Sequence, residues 1–193
     1  MPVRMLVGLG NPGPRYRRTR HNVGFMVAEE LLERARCGAE RMQDEALVAP
    51  ILVGESEVLV VRPQTFMNVS GVSVGAAARR RGIEASEILM VYDDADLPVG
   101  AIRVRAAGSP AGHRGVLSIT QVMGTREIPR VRLGIGKDSG DLAERVLAPF
   151  TRAELPVVER MIEDAADAIE VAIRQGIPAA MNLYNRRAVP AGE

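Results

Sequence analysis

The stretch LVGLGNPGPRYRRTRHN, residues 6–22, decides how the rest of the chain is read. Its apolar head closes on Gly8-Leu9-Gly10-Asn11-Pro12-Gly13, a literal G-x-G-x-x-G. In a dinucleotide-binding fold such glycines turn a strand straight into a helix, whose N-terminus then holds the pyrophosphate. Here Pro12 falls inside the string, Pro14 just after it, and RYRRTR follows where a small apolar first turn should pack on the sheet. Helical spacing begins only near His21. The acidic residue expected at the end of a second strand, about 20 residues on, is missing, because Glu29, Glu30 and Glu33 lie within that first helical stretch. The glycines are therefore read as a rigid loop that leaves the carboxyl edge of a sheet and presents Asn11.

Working outward, residues 3–9 form a short buried-strand pattern, and residues 21–36 carry apolar side chains at helical spacing. Two strands are expected at 46–53 and 57–61, a small-residue helix at 68–82 and a buried strand at 88–92 that runs into the acidic DDAD. Residues 101–105 alternate apolar and basic side chains, as in a strand with one wet face. A glycine-bearing loop then leads to a helix at 113–123, a strand at 131–135, a long amphipathic helix at 151–175 and a last short helix at 179–186. Alternating strands and helices with no internal repeat imply an α/β protein with a central sheet. One domain is expected over residues 1–187, with 188–193 as a flexible C-terminal tail.

Composition narrows the function classes. The 193 residues carry a net charge of only +1, so no global basic field marks a nucleic-acid partner. The cations are nevertheless arginines, with Lys137 the single lysine, and they cluster at 15–20, at 79–81 and at Arg103 and Arg105. Arginine binds phosphate in bidentate fashion, so these clusters are either a local footprint for a nucleic-acid backbone or solvated faces. No apolar run is long enough to span a membrane, no secretory signal pattern opens the chain, and Cys37 stands alone. A cytoplasmic protein is expected.

Open α/β sheets build their sites outside the carboxyl ends of their strands. Three segments should reach that edge: Asn11 with His21, the PQTFMN ahead of a helix, and YDDAD after the strand at 88–92. They bring an imidazole, carboxylates and amides, but no serine elbow, reactive-cysteine motif or His-x-x-x-His pair. That set suits water activation better than covalent catalysis. Blander readings stand beside it. His21 suits a helix start, Asn11 and Asn68 suit turns or caps, and Asp93, Asp94 and Asp96 suit a turn or an oxygen-ligand cation site. His113 has no evident catalytic partner and is read as support for its own loop.

Four blocks, VGLGNPGPRYRRTRHNVGF (7–25), RPQTFMNVSG (62–71), DDADLPVGAIRVR (93–105) and RVRLGIGK (130–137), together resemble the bacterial peptidyl-tRNA hydrolase family, in order and in register. MNLYN at 181–185 is consistent with it. The resemblance implies a monomeric three-layer α/β/α sandwich around a mixed, mostly parallel sheet. It implies cleavage, without metal or cofactor, of the ester joining a peptide to the 3′ ribose of tRNA. By that likeness His21 is the base that activates water, Asp93 orients its ring, and Asn11 helps distinguish peptidyl from aminoacyl substrate. Asn68 is a second site amide, and Tyr16, Phe66 and Met67 line the cleft for the tRNA end. Arg103, Arg105 and Arg132 face acceptor-stem phosphate. A free imidazole titrates near pH 6.5, which suits the first of these roles. A non-catalytic RNA-binding relative of the same fold is the alternative.

The chain departs from the family pattern at GSPAGHRGV (108–116), where Arg114 stands in place of an asparagine that contacts the tRNA 3′ end. Arginine cannot accept a hydrogen bond, but it can bond phosphate or stack on a base. An ionic contact is expected in exchange for the lost one.

Overall fold

A computed structural model describes residues 2–137 and 140–185. The tail expected at 188–193 therefore lies outside the described residues. Seven strands form one sheet: β1 (Met5–Gly8), β2 (Arg41–Gln43), β3 (Ala46–Val53), β4 (Ser56–Pro63), β5 (Ile88–Asp94), β6 (Ile102–Arg105) and β7 (Arg130–Gly134). Their order is β2-β3-β4-β1-β5-β7-β6. The four central strands β4, β1, β5 and β7 are mutually parallel. The outer pairings β2–β3, β3–β4 and β6–β7 are antiparallel. Burial on both faces explains why β1 and β5 read as unbroken apolar runs rather than alternating ones.

Helices cover both faces. On one face, α1 (Val23–Arg34), α5 (Leu155–Gln175) and α6 (Ile177–Tyr184) pack on Leu6, Val60, Leu89, Val91 and Val131. On the other, α2 (Ser70–Arg81) and α3 (Arg114–Met123) pack on Met5, Val7, Val61, Met90 and Tyr92. The expected three layers are present. Helix α5 buries Val158, Met161, Ala165, Ala168, Ile169 and Ala172, a stripe at three- and four-residue spacing. Fully burying a side chain such as Leu6 or Ile169 contributes about 1.5–3 kcal/mol.

Helix α1 crosses the sheet very closely, and two glycines permit it. A Cβ at Gly8 would sit 2.5 Å from the Gly24 carbonyl oxygen, and one at Gly24 would sit 2.6 Å from the Leu9 nitrogen. Gly10 is likewise pressed against the Phe25 ring, and Gly13 turns the chain at φ 98°. The opening glycine string thus serves helix packing and a turn.

Some boundaries differ from expectation for local reasons. The helices expected at 21 and 68 begin with single 3₁₀ turns at Arg20–Asn22 and Met67–Val69. The long helix starts at Leu155 rather than 151 because Thr151 and Glu154 exchange hydrogen bonds ahead of Pro156. Two elements were not expected: the edge strand β2 and the short helix α4 (Leu142–Leu147), capped by Asp141, which accepts from the Ala143 N–H at 2.9 Å.

Candidate active site

The carboxyl ends of β1, β4 and β5 open into a cleft of about 640 Å³. Asn11, His21, Phe66, Met67 and Asn68 line one wall, and Tyr92 to Asp96 lie at the strand ends. Residues 110–114 form a second wall, and Lys137 with α4 forms a third.

Two imidazoles converge on one carboxylate at the floor. His21 Nδ1 lies 2.7 Å from Asp93 Oδ1, and His113 Nε2 lies 3.0 Å from the same oxygen. The ring centroids of His21 and His113 are 4.9 Å apart. Asp93 is only 4 % exposed. Burial works to raise its pKa, but the electrostatic pull of His113 and the hydrogen bonds from both rings outweigh it. The carboxyl is held well below its usual range.

The tautomers follow from the partners. An ionised carboxylate only accepts, so His21 donates from Nδ1 and keeps the Nε2 lone pair for the cleft. His113 accepts from the Val116 N–H at its Nδ1 (3.3 Å), so its proton sits on Nε2 and points at Asp93. Sequence reasoning gave His113 no partner. The structure corrects this: it caps α3 and bonds the buried carboxylate. The 20-residue gap to Asp93 left no local signal for that bond.

Asn11 is 8 % exposed and held on three sides. Its N–H donates to Asn22 Oδ1 at 2.9 Å, its carbonyl accepts from Asn22 Nδ2 at 2.9 Å, and its Oδ1 accepts from the Met67 N–H at 2.8 Å. A backbone donor at Oδ1 fixes the amide orientation, so Nδ2 is the group left for the cleft. Asn22 was not singled out from the sequence, although it sits inside the same TRHN block. Asn68 is exposed on the cleft wall beside Phe66, which is 59 % exposed.

The segment that carries His21 is bolted to the chain beyond α4. Arg20 is buried and donates from both Nη atoms to Glu154 at 3.1 and 2.8 Å, its guanidinium 4.7 Å from the Phe150 ring centroid. The Arg20 N–H bonds the Ala148 carbonyl, and Thr19 bridges to Pro149.

The other expected site residues lie outside this cluster. Arg114 lines the cleft as the first residue of α3, exposed and in the helix's positive field. Ala111 in the same loop adopts φ 47°, a conformation that strains a residue with a side chain. Tyr16 is not among the cleft-lining residues; it lies in the preceding turn, its ring 5.6 Å from the Arg15 guanidinium. Arg103 and Arg132 are register partners across β6 and β7, and Arg132 pairs with Asp94. Arg105 lies opposite Arg130, which is fully buried.

Among the described residues, His21, Asp93 and His113 are also the one group of possible ligands close enough to share a metal ion. Two imidazoles and a carboxylate suit zinc, with bonds of about 2 Å each. Binding there would replace both hydrogen bonds to Asp93. The acidic Asp93, Asp94 and Asp96 do not form such a group with one another. Asp94 pairs with Arg132, and Asp96 lies 3.2 Å from Lys137 Nζ. No described helix is long and apolar enough to cross a membrane.

The family model described as peptidyl-tRNA hydrolase matches residues 5–191. The peptidyl-tRNA hydrolase of Syntrophomonas wolfei is 45 % identical over 183 residues, 95 % of this chain and 100 % of that protein. That of Carboxydothermus hydrogenoformans is 43 % identical over 183 residues, covering 94 % of this chain and 98 % of its own. The crystal structure of a peptidyl-tRNA hydrolase complexed with n-propanol superposes with a TM-score of 0.92 at 29 % identity, covering 98 % and 97 % of the two chains. The Acinetobacter baumannii peptidyl-tRNA hydrolase gives 0.90 at 28 % identity, covering 95 % of each.

Proposed function

The chain belongs to the peptidyl-tRNA hydrolase family and is an ester hydrolase of that kind, and from this premise we propose that His21 activates the water that attacks the substrate. One observation carries the assignment: the 2.7 Å bond from His21 Nδ1 to buried Asp93 leaves Nε2 basic and open to the cleft.

In this reading Nε2 takes a proton from water as the oxygen adds to the ester carbonyl that joins the peptide to the 3′ ribose. Asp93 stabilises the imidazolium, and its low proton affinity keeps it ionised while it does so. Asn11 Nδ2 and the Asn68 amide donate to oxygens of the peptide end or the developing oxyanion, with no charge to desolvate. When the tetrahedral intermediate collapses, the imidazolium returns its proton to the 3′ oxygen. Free tRNA and a peptide carboxylate leave. His113 holds the same Asp93 oxygen beside it through its Nε2.

The tRNA end belongs against exposed Phe66, with buried Met67 next to it, and Tyr16, in the turn before His21, is assigned to the same substrate end. Arg103, Arg105 and Arg132 contact backbone phosphate, which positions a substrate without reading its sequence. Arg114 adds an ionic contact near the 3′ end. We assign residues 1–187 to one domain acting as a monomer in the cytoplasm, with no resident cofactor.

The test is release of a labelled acyl-peptide from tRNA by purified protein, set against His21→Ala. Release by the parent, with a loss of 10²–10⁴-fold in the variant on the order expected for a general base, is the anticipated result. Binding of peptidyl-tRNA by the parent without release sinks the reading and leaves an RNA-binding relative.

A further inference from the structure

Asn185, the last described residue, has a structural assignment that the cleft does not explain. Its Oδ1 accepts from the Val104 N–H at 2.8 Å, and its Nδ2 donates to the Val104 carbonyl at 3.0 Å. Strand β6 is the edge of the sheet, paired on its inner side with β7, where Val104 lies opposite Val131. Among the described residues no strand lies beyond β6 to meet the outward N–H and C=O of Val104. One side-chain amide therefore supplies the two bonds that a further strand would make there, and it covers an edge that would otherwise be open.

Val104 stands between Arg103 and Arg105. Each guanidinium folds back onto its own strand: Arg103 Nη1 donates to the Ile102 carbonyl at 2.9 Å, and Arg105 Nη1 to the Val104 carbonyl at 3.2 Å. The Val104 carbonyl thus serves Arg105 and Asn185 together. When the Arg105 guanidinium turns outward to a phosphate it releases that carbonyl, and a carbonyl left without any donor is unfavourable. The Asn185 amide keeps it satisfied.

We propose that Asn185 is a positioning residue for tRNA binding. It pins edge strand β6 through Val104 and lets Arg105 exchange its backbone bond for a phosphate contact. The proposal rests on the reading that Arg103 and Arg105 face tRNA phosphate.

Steady-state hydrolysis of peptidyl-tRNA and the salt dependence of its binding, measured on Asn185→Ala, Asn185→Asp and an Arg103→Ala/Arg105→Ala double variant, provide the test. Thermal midpoints serve as a check that each variant is folded at the assay temperature. Asn185→Ala should raise KM roughly three- to tenfold, the scale of a lost hydrogen-bond pair, and keep kcat. Asn185→Asp keeps an acceptor for the Val104 N–H but loses the donor and places a negative charge beside Arg105, so its KM should rise further. Both should show a shallower salt slope, as fewer phosphate contacts require. If the arginine double variant flattens the slope while both Asn185 variants match the parent, the positioning role falls and the phosphate reading stands. A double variant with an unchanged slope removes the phosphate reading and this proposal with it. A fall in kcat at constant KM in the Asn185 variants marks a general structural role and also overturns it.

Discussion

The Asn22 side chain holds both backbone polar groups of Asn11, accepting from its N–H and donating to its carbonyl, each at 2.9 Å. Both residues are buried, and the Asn11 Oδ1 is taken by the Met67 N–H. Three hydrogen bonds thus leave one group, Asn11 Nδ2, with a single direction to face. A neutral donor aimed in advance needs no reorganisation when substrate arrives.

Asn22→Ala should therefore lower kcat/KM by about 10- to 100-fold through misplacement of Asn11, without direct contact to substrate. Steady-state kinetics beside Asn11→Ala check this. Full activity in the Asn22 variant would show that the Gly10–Gly13 loop holds Asn11 unaided.

Among the residues on the shared carboxylate oxygen, the damage should rank. On the proposed mechanism His21→Ala and Asp93→Asn should each lose roughly 10²–10⁴-fold in kcat, one by removing the proposed base and the other its tautomer lock. His113→Ala should lose far less turnover, because His21 keeps its bond to Asp93, while the lost α3 cap lowers stability by about 1 kcal/mol. A His113 variant as slow as Asp93→Asn would instead place His113 in the proton path.

Arg20 and Glu154 make a prediction about acid stability. Burial works to raise the Glu154 pKa, but hydrogen bonds from Arg20 and from the Thr151 backbone and hydroxyl win, and it falls from 4.5 to about 2. A depressed carboxylate contributes stability above its unfolded pKa and loses it as pH falls toward the folded value. Glu154→Gln should cost on the order of 1–2 kcal/mol at neutral pH, because Arg20 stays buried without its charge partner. The gap between parent and variant should narrow as pH drops from 4.5 toward 2. Urea unfolding at several pH values reads it directly, and a gap independent of pH would detach the ion pair from stability.

Arg114 can be tested by reversal. If its guanidinium makes an ionic contact with the tRNA end, Arg114→Asn should weaken peptidyl-tRNA binding and reduce its salt dependence. Removing a cation from the positive end of α3 should at the same time stabilise the fold by about 0.3–1 kcal/mol. Tighter binding by the asparagine variant would mark Arg114 as a handicap rather than an adapted contact.

Much of this architecture was legible in the chain. Buried strands such as β1 and β5 announce themselves as apolar runs, and α5 by its stripe from Val158 to Ala172. Asn11, His21, Asn68 and Asp93 were named from motifs, and the structure brings all four to one cleft. The rest was hidden by the distance between partners along the chain. The bond from His113 to Asp93, the grip of Asn22 on Asn11 and the Arg20–Glu154 pair each join residues that no local pattern connects. Helix α4 is different, because Asp141 with Glu144 three residues on is a readable start signal. Its six residues are too few for periodicity to show.

The placement of β1 has a consequence for how the enzyme is made. Of the seven strands this one is made first, yet it lies between β4 and β5, so it waits for some eighty later residues before both flanks exist. The imidazole at position 21 waits longer still, since its neighbour Arg20 docks on Glu154. Vectorial synthesis therefore delivers the His21 imidazole early and its anchor late. A copy of this protein cut short before residue 154 should be unable to clear stalled products like itself.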